Sequence, residues 1–203
     1  MIEKMNVNTG WGYINMNTIR DSNGNISDRG LIALASYEGC SFKAYLCSAG
    51  VKTIGLGSTR SDIKDLPSWP WDKEISLAEV VNIYKKGLEK YVKAVNDAIT
   101  APQNPAQFDA LVSLCYNIGT GGFSKSSVVR AVNSLAGDAE VCRCIKMWNK
   151  ANGKVLKGLV NRRQAECNLY SKGLYVNNIA LIDVDHLHRP IYTNKTVDLM
   201  PFL

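Results

Sequence analysis

Within the stretch Tyr37 to Gly57, a carboxylic acid, a thiol and a hydroxyl fall at Glu38, Cys47 and Thr53, separated by eight and then by five residues. A partly buried acid can hand a proton to a leaving group, and a hydroxyl or thiolate beside it can orient or activate water. Glu38 closes a helical pattern, where the negative pole of the helix and partial burial both favour the protonated form that a general acid needs. By residue type alone each also has an ordinary reading: Glu38 as a solvated helix-end acid, Cys47 as a half-buried strand thiol, Thr53 as a β-branched strand residue.

The elements that must position these groups are legible around them. Asp28 is placed to cap a helix whose residues Leu31, Ile32, Leu34 and Ala35 share an apolar face, with Gly39 as its stop. Short β-type runs between Ala44 and Gly57, joined by Ser48-Ala49-Gly50, predict a hairpin. With a three-residue turn, Cys47 faces Val51 and Tyr45 faces Thr53. Alternation then puts Cys47 and Thr53 on one face of the sheet, beside Glu38.

Further along, Ser76 and Glu79 form a capping-box pattern for a helix reaching about Ile99. Asn104, Pro105 and Gln107 repeat the start signal for a helix running to Tyr116, and Asp138 and Gly158 mark two more helix starts. Residues 1–27 are rich in turn formers and read as an irregular lead-in, and 174–203 read as a C-terminal appendage of short alternating runs. Trp69, Trp71 and Trp148 are read as packing residues, and Arg163 as part of a solvated helix face. Asp183, Asp185, His186 and His188 alternate as a short strand does, without a metal.

Composition sets the outer limits. The chain has 203 residues, 46% hydrophobic and 21% charged, which fits one ordinary globular domain and excludes collagen, coiled coil and wholesale disorder. The longest clean apolar run near the start, Leu31 to Ala35, is far short of a membrane span of about 20 residues. No signal-peptide pattern opens the chain. Six cysteines form no CxxC pair and no zinc spacing, so reduced thiols are expected. Lys and Arg exceed Asp and Glu by 24 to 18, a net charge of +6, without a basic stripe or interleaved aromatics that would point to nucleic acid.

The Glu38, Cys47, Thr53 spacing resembles that of the phage-type lysozymes, the T4-like endolysins of glycoside hydrolase family 24. The similarity continues through Gly50-Val51-x-Thr53-Ile54-Gly55-x-Gly57, Asn104-Pro105-x-Gln107-x-Asp109, Tyr116-Asn117-x-Gly119 and Arg162-Arg163-x-x-Glu166, covering residues 28–173. The resemblance implies an α+β lysozyme-like fold, with a small β-hairpin lobe and a larger helical lobe enclosing a substrate cleft. It implies an endolysin that hydrolyses the β-1,4 bond between N-acetylmuramic acid and N-acetylglucosamine in peptidoglycan glycan strands and lyses the host. Glu38 would protonate the leaving oxygen, Thr53 would orient water, Asn117 would hydrogen-bond the sugar, and Arg162 would pair with Glu38. Such an enzyme needs no cofactor or metal, acts as a monomer, and waits in the host cytoplasm for a holin lesion that opens the way to the periplasm. Two departures stand out. Cys47 replaces a second acid, and Ser58 stands where many relatives carry His. Alternative readings are a peptidoglycan-binding scaffold that has lost catalysis, and a lytic transglycosylase. Oxidation of Cys47, including pairing with Cys40 or another thiol, is expected to lower activity.

Overall fold

The computed structural model describes residues 24–47, 50–59 and 73–203. Helix α1, Asp28–Ala35, buries six of its eight residues, Gly30 to Ala35. Its cap is Ser27 rather than Asp28: the Ser27 hydroxyl oxygen accepts from the Gly30 N–H at 3.0 Å. Asp109 fixes that choice, because its carboxylate accepts from the Ser27 N–H at 2.9 Å and from the Ser27 hydroxyl at 2.5 Å. Asp28 instead sits in the first turn, where its charge meets the positive pole of the helix. The helix ends at Ala35, and the Glu38 and Gly39 N–H groups both turn back to the Ala35 carbonyl.

Strands β1 (Ser41–Leu46), β2 (Lys52–Gly55) and β3 (Ser58–Thr59) form an antiparallel sheet in sequence order. Tyr45 lies opposite Thr53, the expected register, with a bulge between Ser41 and Tyr45. The Ser48-Ala49 part of the turn, the lead-in before residue 24, and Trp69 and Trp71 lie outside the described residues.

The helical lobe follows its cap signals. Helix α2, Leu77–Ala98, opens on the Ser76–Glu79 capping box, and Val80, Val81, Tyr84, Leu88, Val92 and Val95 bury its apolar face. Helix α3, Pro105–Ile118, opens on the Asn104–Gln107 box with Pro at its first position, and it is buried from Phe108 to Cys115. Two short helices absent from the sequence reading follow, α4 (Thr120–Ser124) and α5 (Ser127–Asn133). Then come α6 (Asp138–Lys146), a small hairpin of β4 (Lys150–Ala151) and β5 (Lys154–Val155), and α7 (Lys157–Lys172), which starts one residue before Gly158. Helices α3 and α7 pack side by side, and Trp148 packs on the common core. Among the described residues, no helix is long and apolar enough to cross a membrane.

The C-terminal segment forms a hairpin of β6 (Ile179–Val184) and β7 (Pro190–Val197), closed by a 3-10 turn at Met200–Phe202. It attaches to the β lobe, where Cys40 and Leu181 form a parallel bridge beside β1. Asp185 ties the hairpin tip together, accepting from the Leu187 and Arg189 N–H groups at 2.8 and 2.9 Å and from Arg189 Nε at 2.7 Å. The Arg189 backbone bond is the foremost reason that the Asp185 carboxyl is held down at about 2, below its ordinary 3.8. A depressed carboxyl contributes stability above its unfolded value and loses it as the pH falls through the folded one. Protection of the Leu187 and Arg189 amides from hydrogen exchange should therefore persist down to about pH 4 and disappear towards pH 2, with an Asp185 carboxyl NMR midpoint near 2.

Candidate active site

Glu38 sits in the turn after α1, with its side chain 21% exposed. Its Oε1 accepts from Arg162 Nη1 on α7 at 2.8 Å. Arg162 is itself 8% exposed, stacks 4.7 Å over the Tyr37 ring, and directs Nε to Glu166 Oε1 at 3.3 Å. One guanidinium is therefore divided between two carboxylates. Burial is the largest influence on Arg162 and works against its charge, but Glu38 and Glu166 together outweigh it and hold its pKa above the ordinary value.

Beneath Arg162 lies a second buried cation. Arg163 is fully buried and not part of a solvated face. Its Nη2 donates to Glu166 Oε1 at 3.0 Å and to Asn117 Oδ1 at 2.9 Å, while Nε lies 2.8 Å from Glu166 Oε2. That last approach is an ion contact without hydrogen-bond alignment, leaving Nε and Oε2 otherwise unsatisfied. Ser113 on α3 completes the cluster by donating to Glu166 Oε1 at 2.7 Å. Burial pushes the Glu166 carboxyl up and the Arg163 guanidinium down, each against the pull of its oppositely charged neighbours. Residue type alone reads Arg163 as part of a solvated helix face. Only the packing of α3 against α7 shows it to be interior.

On the sheet side, the Val51 carbonyl gathers two donors: the Cys47 N–H at 3.0 Å and the Thr53 hydroxyl at 3.0 Å. Thr53 is almost wholly buried and Cys47 half-buried, and alternation along β1 puts Cys47 on the same face as Tyr45, which lies opposite Thr53. The Tyr45 phenol is buried on this side of the sheet. Burial chiefly raises its pKa to about 12, and the charges of Tyr192, Cys47 and Glu38 add to that rise. An internal bond between Cys40 and Cys47 does not fit this arrangement. The two flank the whole of β1, about 15 Å or more apart by strand rise, whereas a disulfide needs Cα atoms within about 7 Å.

Asn117, exposed near the end of α3, is not the helix cap; Gly119 takes that position. Since Arg163 occupies the Asn117 carbonyl oxygen, the amide NH2 is the end directed to other partners. The structure thus joins Arg162 to Glu38 and Asn117 to the buried cluster, and it gathers Cys47 and Thr53 on one carbonyl.

A family model for phage lysozyme matches residues 35–166, from just before Glu38 to Glu166. The chain belongs to the phage lysozyme family. It is 35% identical over 153 residues to an endolysin of Bacillus phage PZA, covering 73% of this chain and 55% of that one. The chain thus spans about half the length of the Bacillus phage endolysins that it matches. To the endolysin of Salmonella phage P22 it is 34% identical, over 71% of this chain and 97% of the other. Among solved structures, an endolysin from Escherichia coli O157:H7 phage FAHEc1 superposes with a TM-score of 0.67 at 32% identity, covering 75% of this chain and 96% of that one. The α+β lysozyme-like fold expected from the sequence is the fold observed.

Gly57 and Tyr116 frame Glu38, and residue type alone signalled neither. Gly57 adopts φ +76°, and a Cβ there would lie 3.2 Å from Glu38 Oε2 and 3.4 Å from the Tyr116 hydroxyl. Tyr116 is packed by Tyr91 at 5.0 Å and, edge-on, by Tyr84 at 6.4 Å. Gly57→Ala would combine left-handed strain with a side chain pressed on the acid. We expect a loss of about 1–2 kcal/mol of stability and a larger fall in activity than in stability, read by urea unfolding alongside substrate turnover.

Proposed function

We propose that this chain is a muramidase, an endolysin that hydrolyses the β-1,4 bond between N-acetylmuramic acid and N-acetylglucosamine and so lyses a bacterial cell. The observation that carries the proposal is the partly exposed Glu38 carboxyl with Oε1 fixed by Arg162 at 2.8 Å. With Oε1 engaged, a proton on Glu38 sits on Oε2, and from there it passes to the leaving glycosidic oxygen. Arg162 acts as a positioning residue, and sharing its charge with Glu166 lets it orient Glu38 without committing a whole cation to it.

Thr53 spends its hydroxyl proton on the Val51 carbonyl, so its lone pairs accept from the attacking water. Cys47 flanks that water in the place of a second acid. Water supplies the hydroxyl that bonds to the anomeric carbon, and its remaining proton replaces the one that Glu38 gave up. The Asn117 NH2 offers a donor to the sugar. The scheme calls on side chains alone, with no cofactor or metal.

We assign residues 28–173 to the catalytic domain, 1–27 to a lead-in and 174–203 to an appendage. The substrate is the glycan strand, the protein acts as a monomer, and release from the host cytoplasm to the cell wall depends on a holin. Cys47 in place of an acid favours one second reading, a binding scaffold without catalysis. Purified Gram-negative sacculi incubated with the protein should lose turbidity and release reducing sugar. Retention on the sacculus without any released sugar would support the scaffold instead.

A further inference from the structure

The β6–β7 hairpin lies beyond the segment matched to the phage lysozyme family, yet it is built into the catalytic lobe. The Cys40 N–H donates to the Ala180 carbonyl at 2.8 Å, the Ile182 N–H to the Cys40 carbonyl at 2.7 Å, and the Leu46 N–H to the His188 carbonyl at 2.8 Å. These bonds anchor the hairpin at both ends of β1, the strand that leads into Cys47. Ile182 seals the joint: a Cβ at Gly39, the residue after Glu38, would lie 2.8 Å from its Cδ1. Within the hairpin, the Thr193 hydroxyl donates to the Leu181 carbonyl at 2.7 Å, and Asp185 holds the tip. The result is a fixed extension of the sheet.

This extension carries an aromatic ring that its own packing does not use. Tyr192, paired across the hairpin with the buried Ile182, is 78% exposed. A phenol ring left in water on a rigid strand forgoes the burial that usually stabilises such a side chain. Its position decides what it faces. Its cross-strand partner Ile182 packs against Gly39, the residue after Glu38, and cross-strand partners share a sheet face, so β7 presents the ring beside the turn that carries the candidate acid.

Resting on the muramidase reading, we propose that the β6–β7 hairpin forms an added glycan subsite, with the Tyr192 ring as a stacking platform for a sugar beyond those held beside Glu38. A pyranose presents an apolar face of C–H groups and an equatorial rim of hydroxyls. A rigid, amphipathic tyrosine matches it at low entropic cost, apolar on the ring face and polar at the tip. Its hydrogen bonds to Cys40 and Leu46, at the two ends of the strand between Glu38 and Cys47, commit the surface to the same glycan strand that is cut beside Glu38. The subsite lengthens the grip on the substrate without touching the bond that breaks.

The test compares the full chain with Tyr192→Ala and Tyr192→Phe on long, peptide-free glycan strands and on short glycan oligomers. For Tyr192→Ala on long strands we expect KM to rise about three- to ten-fold with kcat unchanged. On short oligomers its kinetics should match the wild type, and Tyr192→Phe should behave as wild type on both. Equal KM values for Tyr192→Ala and wild type on long strands would overturn the subsite, as would the same loss on short oligomers. A wild-type protein that cleaves neither substrate would defeat the muramidase reading itself, and the subsite with it. The outcomes separate because wild-type turnover is read first. Unchanged thermal midpoints confirm that the variants are folded.

Discussion

Glu38→Gln should lower glycan cleavage by about a thousand-fold, within the usual range for removal of a general acid. The substitution keeps the shape of the side chain and an oxygen able to accept from Arg162 Nη1, which now lies 2.8 Å from Glu38 Oε1. What it removes is the transferable proton on Oε2. Arg162 retains Glu166 at 3.3 Å and the stack on Tyr37, so the fold should be nearly undisturbed. The measurement is the rate of reducing-sugar release from purified sacculi, with circular dichroism as the control for folding. A folded variant that keeps more than a tenth of the wild-type rate would remove Glu38 from the role of acid.

The second large effect is on stability. Glu166→Gln strips the carboxylate from a site where Arg163 is fully buried and Arg162 nearly so. Removing one partner of a buried ion pair leaves an uncompensated charge and costs about 3–5 kcal/mol. For a chain of this size that is a fall in melting temperature of about 10 °C. The double variant Arg163→Met with Glu166→Leu should recover most of that loss, since apolar residues of similar volume can replace a buried pair at little cost. It leaves Arg162 in place for Glu38. Thermal or urea unfolding of the two variants checks this, and a Glu166→Gln protein as stable as wild type would show that the cluster does not hold α3 to α7.

Local signals explain which parts of the fold could be read from the chain. The boxes at Ser76–Glu79 and Asn104–Gln107 place α2 and α3 because a cap is a contact between residues three apart. The hairpin register that sets Tyr45 against Thr53 is local for the same reason. At Ser27 and Asp28 two adjacent residues are both good caps, and the choice was made by Asp109, distant in sequence. Helices α4 and α5 span only five and seven residues, too short for an apolar period to show.

In the candidate site, the spacing of Glu38, Cys47 and Thr53 carried the resemblance, and Arg162 followed from it. Arg163 and Gly57 stand in the motifs that extend it, but their roles beside the acid did not follow from them. An arginine is exposed by default, and only a carboxylate and two packed helices make its burial tolerable. The tail escaped for a related reason: its attachment pairs Cys40 with Leu181, far apart in sequence, and no local pattern announces such a bond.

The most direct measurement is the mass of the products when peptidoglycan is digested in water enriched in oxygen-18. Hydrolysis with Glu38 as acid and water as nucleophile predicts fragments ending in a reducing N-acetylmuramic acid that carries one heavy oxygen. Fragments ending in an unlabelled anhydro sugar would contradict it and make the enzyme a transglycosylase. Intact strands that remain bound to the protein would contradict it in favour of the scaffold.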